Sequence, residues 1–128
     1  MSLDDIRNSI NKKFRAELVS SNPEYTQFDR IPFSSPRLNY LTRGGVPWPG
    51  AIELSGPESS GKTTLLGDLT KNAQKMGLIC AFTDTENKTD LDYWKWLGVD
   101  TDNLLISKPV NASGETILEL QFELMRQG

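Results

Sequence analysis

The chain has 128 residues, is 37 % hydrophobic and 24 % charged, and carries a formal net charge of −3. That length suits one domain with one core, and the acidic balance argues against a generally basic nucleic-acid surface. The absence of histidine excludes Ser-His-Asp and Cys-His chemistry and His-ligated metals. No apolar run is long enough to span a membrane and no signal-peptide pattern opens the chain, so no membrane association is expected.

In chain order, Leu3, Ile6, Ile10, Phe14 and Leu18 recur at intervals of three and four, which predicts an amphipathic helix over residues 2–19. Ser2 suits its N-cap, and Asp4 and Asp5 suit the positive end of its dipole. The pattern leaves open whether this helix packs on its own domain or docks elsewhere. Residues 20–35 contain Ser20-Ser21-Asn22-Pro23 and Ile31-Pro32, and read as a linker with one short extended piece. They form the one candidate boundary. Pro36 to Leu41 predicts a short helix capped by Ser35, with Gly44-Gly45 ending it. Pro47-Trp48-Pro49-Gly50 reads as a turn, with Trp48 a partly exposed packing residue or, alternatively, a binding residue. Ala51 to Ser55 reads as a short strand.

Gly56-Pro57-Glu58-Ser59-Ser60-Gly61-Lys62-Thr63-Thr64 then fits G-x-x-x-x-G-K-[ST], the phosphate-binding loop pattern. Leu65, Leu66, Leu69, Ala73 and Met76 follow at helical spacing. Gly56 and Gly61 can take positive φ, so the backbone can wrap with its N–H groups turned inward. Those donors and the start of the helix make an anion site. Lys62 supplies a positive charge for β- and γ-phosphates, and the Thr63 hydroxyl suits a bridging Mg²⁺. A nucleotide is the expected ligand.

Gly77 stops the helix, and Leu78 to Thr83 reads as a second buried strand. Cys80 within it reads as a buried, reduced thiol of a cytosolic protein. Asp84-Thr85-Glu86-Asn87 comes at the carboxyl end of that strand, where ligand sites of open α/β sheets lie. Glu86 there is either a carboxylate that orients a water toward the γ-phosphate or an exposed turn acid. Thr89 to Gly98 predicts a short capped helix, and Asn103 to Ser107 a third short strand. Residues 108–113 read as loop. Gly114 to Gln127 alternates like a strand yet also fits a helix face. Helix is preferred because Glu, Leu, Gln and Met favour it and Ser113 can cap it.

From about residue 31 onward the chain resembles the RecA/RadA recombinase family. The resemblance rests on the phosphate loop with its Pro-Glu-Ser-Ser insert and on Cys80-Ala81-Phe82-Thr83-Asp84-Thr85-Glu86. Leu97-Gly98-Val99-Asp100, Asp102-Asn103-Leu104-Leu105 and the segment from Ser35 to Pro47 add to it. It implies an α/β fold: a P-loop NTPase, three-layer RecA-like core over residues 31–128, incomplete on its carboxy-terminal side, with a helical arm and linker over 1–30. It implies ATP and Mg²⁺ as cofactors, with Glu58 to Thr64 holding phosphates, Lys62 catalytic and Thr63 on the metal. Glu86 becomes the general base. Asp90 would hydrogen-bond the adenine and Tyr93 stack on it. The amino-terminal helix would pack on the next protomer of a filament, and single-stranded DNA would be the partner, bound by regions outside this chain. The cytoplasm is the expected compartment.

Asn87 stands where bacterial members usually have histidine. With Trp94 and Trp96, it hints at a divergent or phage-type member. In the family, the strand bearing the second Mg²⁺-associated aspartate and the DNA-binding loops come after the position of Gly128. The chain is therefore expected to be part of a longer product or to be completed by a partner, with strand edges unpaired and an apolar face uncovered. Three functions stay open: the ATP-binding part of a DNA-dependent recombinase; a nucleotide-binding module that docks on full-length relatives; and another P-loop ATPase or kinase.

Overall fold

Ser2 opens the first helix by a reciprocal cap. Its hydroxyl accepts from the Asp5 amide at 3.2 Å, and the Asp5 carboxylate accepts from the Ser2 amide at 2.8 Å. The computed structural model describes residues 2–15, 28–109 and 111–127. Helix α1 runs Leu3–Phe14 and ends on Arg15 in the left-handed region. The remaining positions of the expected helix, with Leu18, and the first part of the expected linker lie outside the described residues. No α1 side chain is buried, and Leu3 and Phe14 stand in the open.

Strand β1 (Asp29–Ile31) is the expected extended piece of the linker, and it pairs antiparallel with β2 (Val46–Trp48). Between them lies α2 (Pro36–Leu41), capped by Ser35. The turn expected at residues 47–50 is corrected here, because Pro47 and Trp48 belong to β2. The ladder with β1 draws them into extended backbone. Proline is tolerated because each strand of a two-stranded sheet is an edge. Arg30 locks the connection, donating to the Thr42 carbonyl at 3.1 Å and the Gly45 carbonyl at 2.9 Å. Gly45 has φ +125° and lies so close to Ile31 and Pro32 that a Cβ has no room.

Ala51 to Ser55 is also corrected: it forms no strand, and four of its five residues are exposed. A strand exists by its ladder, and no described residue pairs with this segment.

Helix α3 (Lys62–Lys75) buries Gly67, Leu69, Asn72 and Ala73. It holds the chain after β1 by polar contacts. Asp68 accepts from the Ser34 amide at 2.7 Å, Lys71 donates to Asp68 at 2.7 Å, and Asn72 donates to the Pro32 carbonyl at 2.7 Å. Gly77, at φ +82°, follows its end as expected. Strand β3 (Cys80–Thr83) and β4 (Leu104–Ser107) pair in parallel from Cys80↔Leu104 to Thr83↔Ser107. They are joined through α4 (Leu91–Leu97), capped by Asp90 and ended by Gly98 at φ +97°. The expectation of a buried strand is corrected: none of the four β3 residues is buried, Ala81 is exposed and Cys80 is a free, half-buried thiol, because the Trp94 core covers one face of the sheet. Burial pushes that thiol's pKa up, so it stays protonated and unreactive near neutral pH.

The core sits between α4 and this sheet. Trp94, 1 % exposed, packs with Val99 and Leu104, and Phe82 meets it at 4.6 Å between ring centroids. Gly67 lets α3 approach: a Cβ there would lie 3.2 Å from the Trp94 indole. Helix α5 (Gly114–Gln127) is helical as expected, with the Thr116 amide on the Ser113 hydroxyl at 3.3 Å. Its Leu124 and Met125 border an open apolar groove shared with Leu69, Ala73 and Ile79. The described architecture is therefore α/β, with two small sheets rather than one continuous sheet between helical layers. No helix of the described residues is long and apolar enough to cross a membrane.

Candidate functional site

The glycine loop, residues 56–61, is shaped by backbone conformation. Ser59 at φ 57° and Gly61 at φ 88° are left-handed, and alternating hands turn successive N–H groups to one side. Helix α3 starts directly after it. Its first intrahelical bond comes from Leu65 to the Gly61 carbonyl at 2.9 Å, so the amides of Lys62, Thr63 and Thr64 face out of the helix end. The dipole adds positive potential there. Lys62 arches back over the loop, its Nζ donating to the carbonyls of Gly56 at 2.8 Å and Pro57 at 2.7 Å. The ammonium is thus held against the loop's own backbone. This donor set fits a polyphosphate: all donors, one cation, and no carboxylate among the hydrogen bonds that shape the loop.

The second side of the site follows β3. Its ladder extends one residue, the Asp84 amide donating to the Ser107 carbonyl at 2.9 Å. The chain then turns around Asp84, a residue only 5 % exposed. Its two oxygens accept from the amides of Glu86 at 3.2 Å and Thr89 at 2.9 Å. Burial pushes the Asp84 carboxyl up, but the hydrogen bonds from Thr89, Asn87 and Lys88 outweigh it and hold the pKa below the usual carboxylate value. Asn87 adopts φ 53° in this turn. Asparagine tolerates that region well, which gives its presence a local reason. Glu86 stands exposed at the turn, its carboxylate 3.3 Å from Lys88 Nζ. Asp90 accepts from the Tyr93 amide at 2.9 Å as the cap of α4.

These two sides border one cleft of about 390 Å³, lined by Thr63, Thr64, Asp84, Glu86, Asp90 and Tyr93 among others. Thr63 and Thr64 thus face the same space as Glu86, Asp90 and Tyr93. Gly56, Pro57, Glu58, Ser59, Ser60 and Gly61, on the adjoining exposed loop, and the half-buried Lys62 that opens α3 lie outside its lining. Asp84 escaped the sequence reading as a site residue. Its signal was available in retrospect: an acid at the end of a strand, followed by polar residues that need an acceptor. Trp94, read only as a mark of divergence, proves to be the floor of the cleft and the centre of the core. Among the described residues no group of three or more His, Cys, Asp or Glu converges on a possible metal position. A divalent ion at this site would therefore need a ligand's oxygens together with Thr63.

The chain matches the model of the RecA N-terminal domain over residues 1–128. It is 43 % identical to Protein RecA of Campylobacter lari over 130 aligned residues, covering 99 % of this chain and 37 % of that protein. It is 48 % identical to Protein RecA of Sulfurimonas denitrificans with the same coverage, and 50 % identical to that of Acidothermus cellulolyticus over 78 % of this chain and 29 % of that protein. The chain spans about a third of the length of these relatives. It belongs to the RecA family and corresponds to the amino-terminal part of its members.

Proposed function

We propose that this chain is the ATP-binding part of a DNA-dependent recombinase that works with single-stranded DNA in recombination and repair. The observation that carries this reading is the shared cleft. It brings the start of the phosphate-loop helix, Thr63 and Thr64, against Glu86, Asp90 and Tyr93 from the β3–α4 segment. Family membership supports a P-loop NTPase core over residues 31–128 and an arm over 1–30.

In this reading the backbone amides of Glu58 to Thr64 and the Lys62 ammonium bind the phosphates. Thr63 offers its hydroxyl to Mg²⁺, which when bound offsets phosphate charge. Tyr93 stacks on the adenine and Asp90 accepts from it. Glu86 accepts a proton from the attacking water as the oxygen bonds the γ-phosphorus and the bond from that phosphorus to the β–γ bridging oxygen breaks, with ADP leaving. The Asp84 hydrogen bonds hold the Glu86 backbone for that task. The exposed apolar stripe of α1 supports its role as an arm on a neighbouring copy in a filament. A cytoplasmic setting follows from the reading.

The test is ATP turnover by the 128-residue chain, with and without single-stranded DNA, and with Glu86→Gln as control. DNA-stimulated hydrolysis lost in the variant is the outcome of a complete site. ATP binding without turnover in either protein would favour a nucleotide-binding module that acts only with further elements. Phosphoryl transfer to a small acceptor would favour a kinase.

A further inference from the structure

Trp96 is 79 % exposed, yet its ring lies against that of Tyr93, with centroids 5.9 Å apart and planes 17° from parallel. The two residues are three apart on α4, so they share one face of the helix. Trp94 between them points the other way and is 1 % exposed. The core therefore gains nothing from Trp96. Its distance and tilt are those of an offset stack, the preferred arrangement of two aromatic rings. Tyr93 lines the cleft and Trp96 does not. The indole thus backs the tyrosine ring from outside while Tyr93 stays 40 % exposed.

We infer that Trp96 is a positioning residue for recognition of the base. It holds the Tyr93 ring in the orientation that receives a purine, so that indole, phenol and base form a three-layer stack. This rests on the nucleotide reading above. The physical gain is preorganisation: a ring already ordered by a neighbour loses less rotamer freedom when a ligand settles on it. The effect belongs to the base alone, because Trp96 lies outside the lining of the cleft and its ring rests on Tyr93. A ligand with phosphates and no base should not sense it.

The test compares affinities for Mg-ATP and Mg-tripolyphosphate by titration calorimetry on the full chain. The unaltered chain is expected to bind ATP more tightly than tripolyphosphate. Trp96→Ala and Trp96→Leu should both weaken ATP by about three- to tenfold, the range of one aromatic pair, and leave tripolyphosphate unchanged. Trp96→Phe should restore most of the loss, and it keeps the test open if a smaller residue disturbs α4. Unchanged ATP affinity in Trp96→Ala and Trp96→Leu would overturn the inference and leave the nucleotide reading standing. Equal weakening of both ligands would assign Trp96 a merely structural role and overturn it too. Failure of the unaltered chain to bind ATP would overturn the nucleotide reading, and this inference with it.

Discussion

The turn that lines the cleft and the glycine loop beside it are held in opposite ways. The turn from Asp84 to Asp90 is built around a buried carboxylate and stands on the Trp94 core. The glycine loop from Gly56 to Gly61 is exposed, follows a segment with no strand partner among the described residues, and is tied by the Lys62 ammonium on two of its own carbonyls. The first is specified by packing and a satisfied buried acid, so its geometry is costly to disturb. The second is specified by backbone conformations and one flexible side chain, so it can open toward an anion at little cost. The turn side of the cleft is therefore stiff and the glycine loop beside it adaptable.

The largest effect expected from this contrast is at the floor of the stiff side. Trp94→Ala should cost about 3–5 kcal/mol, the range for a buried tryptophan. It should abolish a cooperative unfolding transition in thermal melts. A loss under about 1 kcal/mol would mean that the turn does not depend on the core.

Asp84→Asn should cost about 2 kcal/mol, because an amide cannot accept from both Glu86 and Thr89 as a carboxylate does. This effect depends on pH. Asp84 and Asp68 both have folded pKa values below the ordinary carboxylate value. Asp68 is pushed up by burial, but Lys71 and Ser34 hydrogen bonds hold it down. The stability they add is therefore fully present above about pH 5, and it is lost as pH falls through their lowered folded values. Denaturant midpoints across pH 2–7 should show a steep acid limb in the unaltered chain and a shallower one in Asp84→Asn. An acid limb of equal slope in both would remove Asp84 from that role.

The smallest stability effect is expected on the adaptable side. Lys62→Ala should change unfolding free energy by no more than about 0.5 kcal/mol, while Mg-ATP binding falls below detection in calorimetry. Retained affinity would break the phosphate-loop assignment. A large loss of stability would show that the two loops are held alike.

Much of this was legible in the primary structure because it is local chemistry. Ser2, Ser35 and Ser113 cap the helices expected of them, the helix expected after Thr89 is capped by Asp90, and Gly77 and Gly98 follow the ends of two. Such signals act over three or four residues and need no distant partner. The misses were of a different kind. Ala51 to Ser55 has the composition of a strand but no ladder among the described residues, and Pro47-Trp48 reads as a turn yet is held extended by β1. Strand identity is a property of a pair, and the partner is not written in the segment itself.

The order of residues by itself determined the helices, their caps, and the glycine loop with its Lys62 and Thr63. Each follows from dihedral preference, periodicity or a side chain bonding its own turn. Tertiary structure decided that Asp84 is a buried organiser, that Trp94 is the core, and that Trp96 lies against Tyr93. It also decided that Glu86 faces the same cleft as Thr63. These facts depend on which surfaces meet when β3 and β4 pair and α4 folds across them. Burial and desolvation arise only from that meeting.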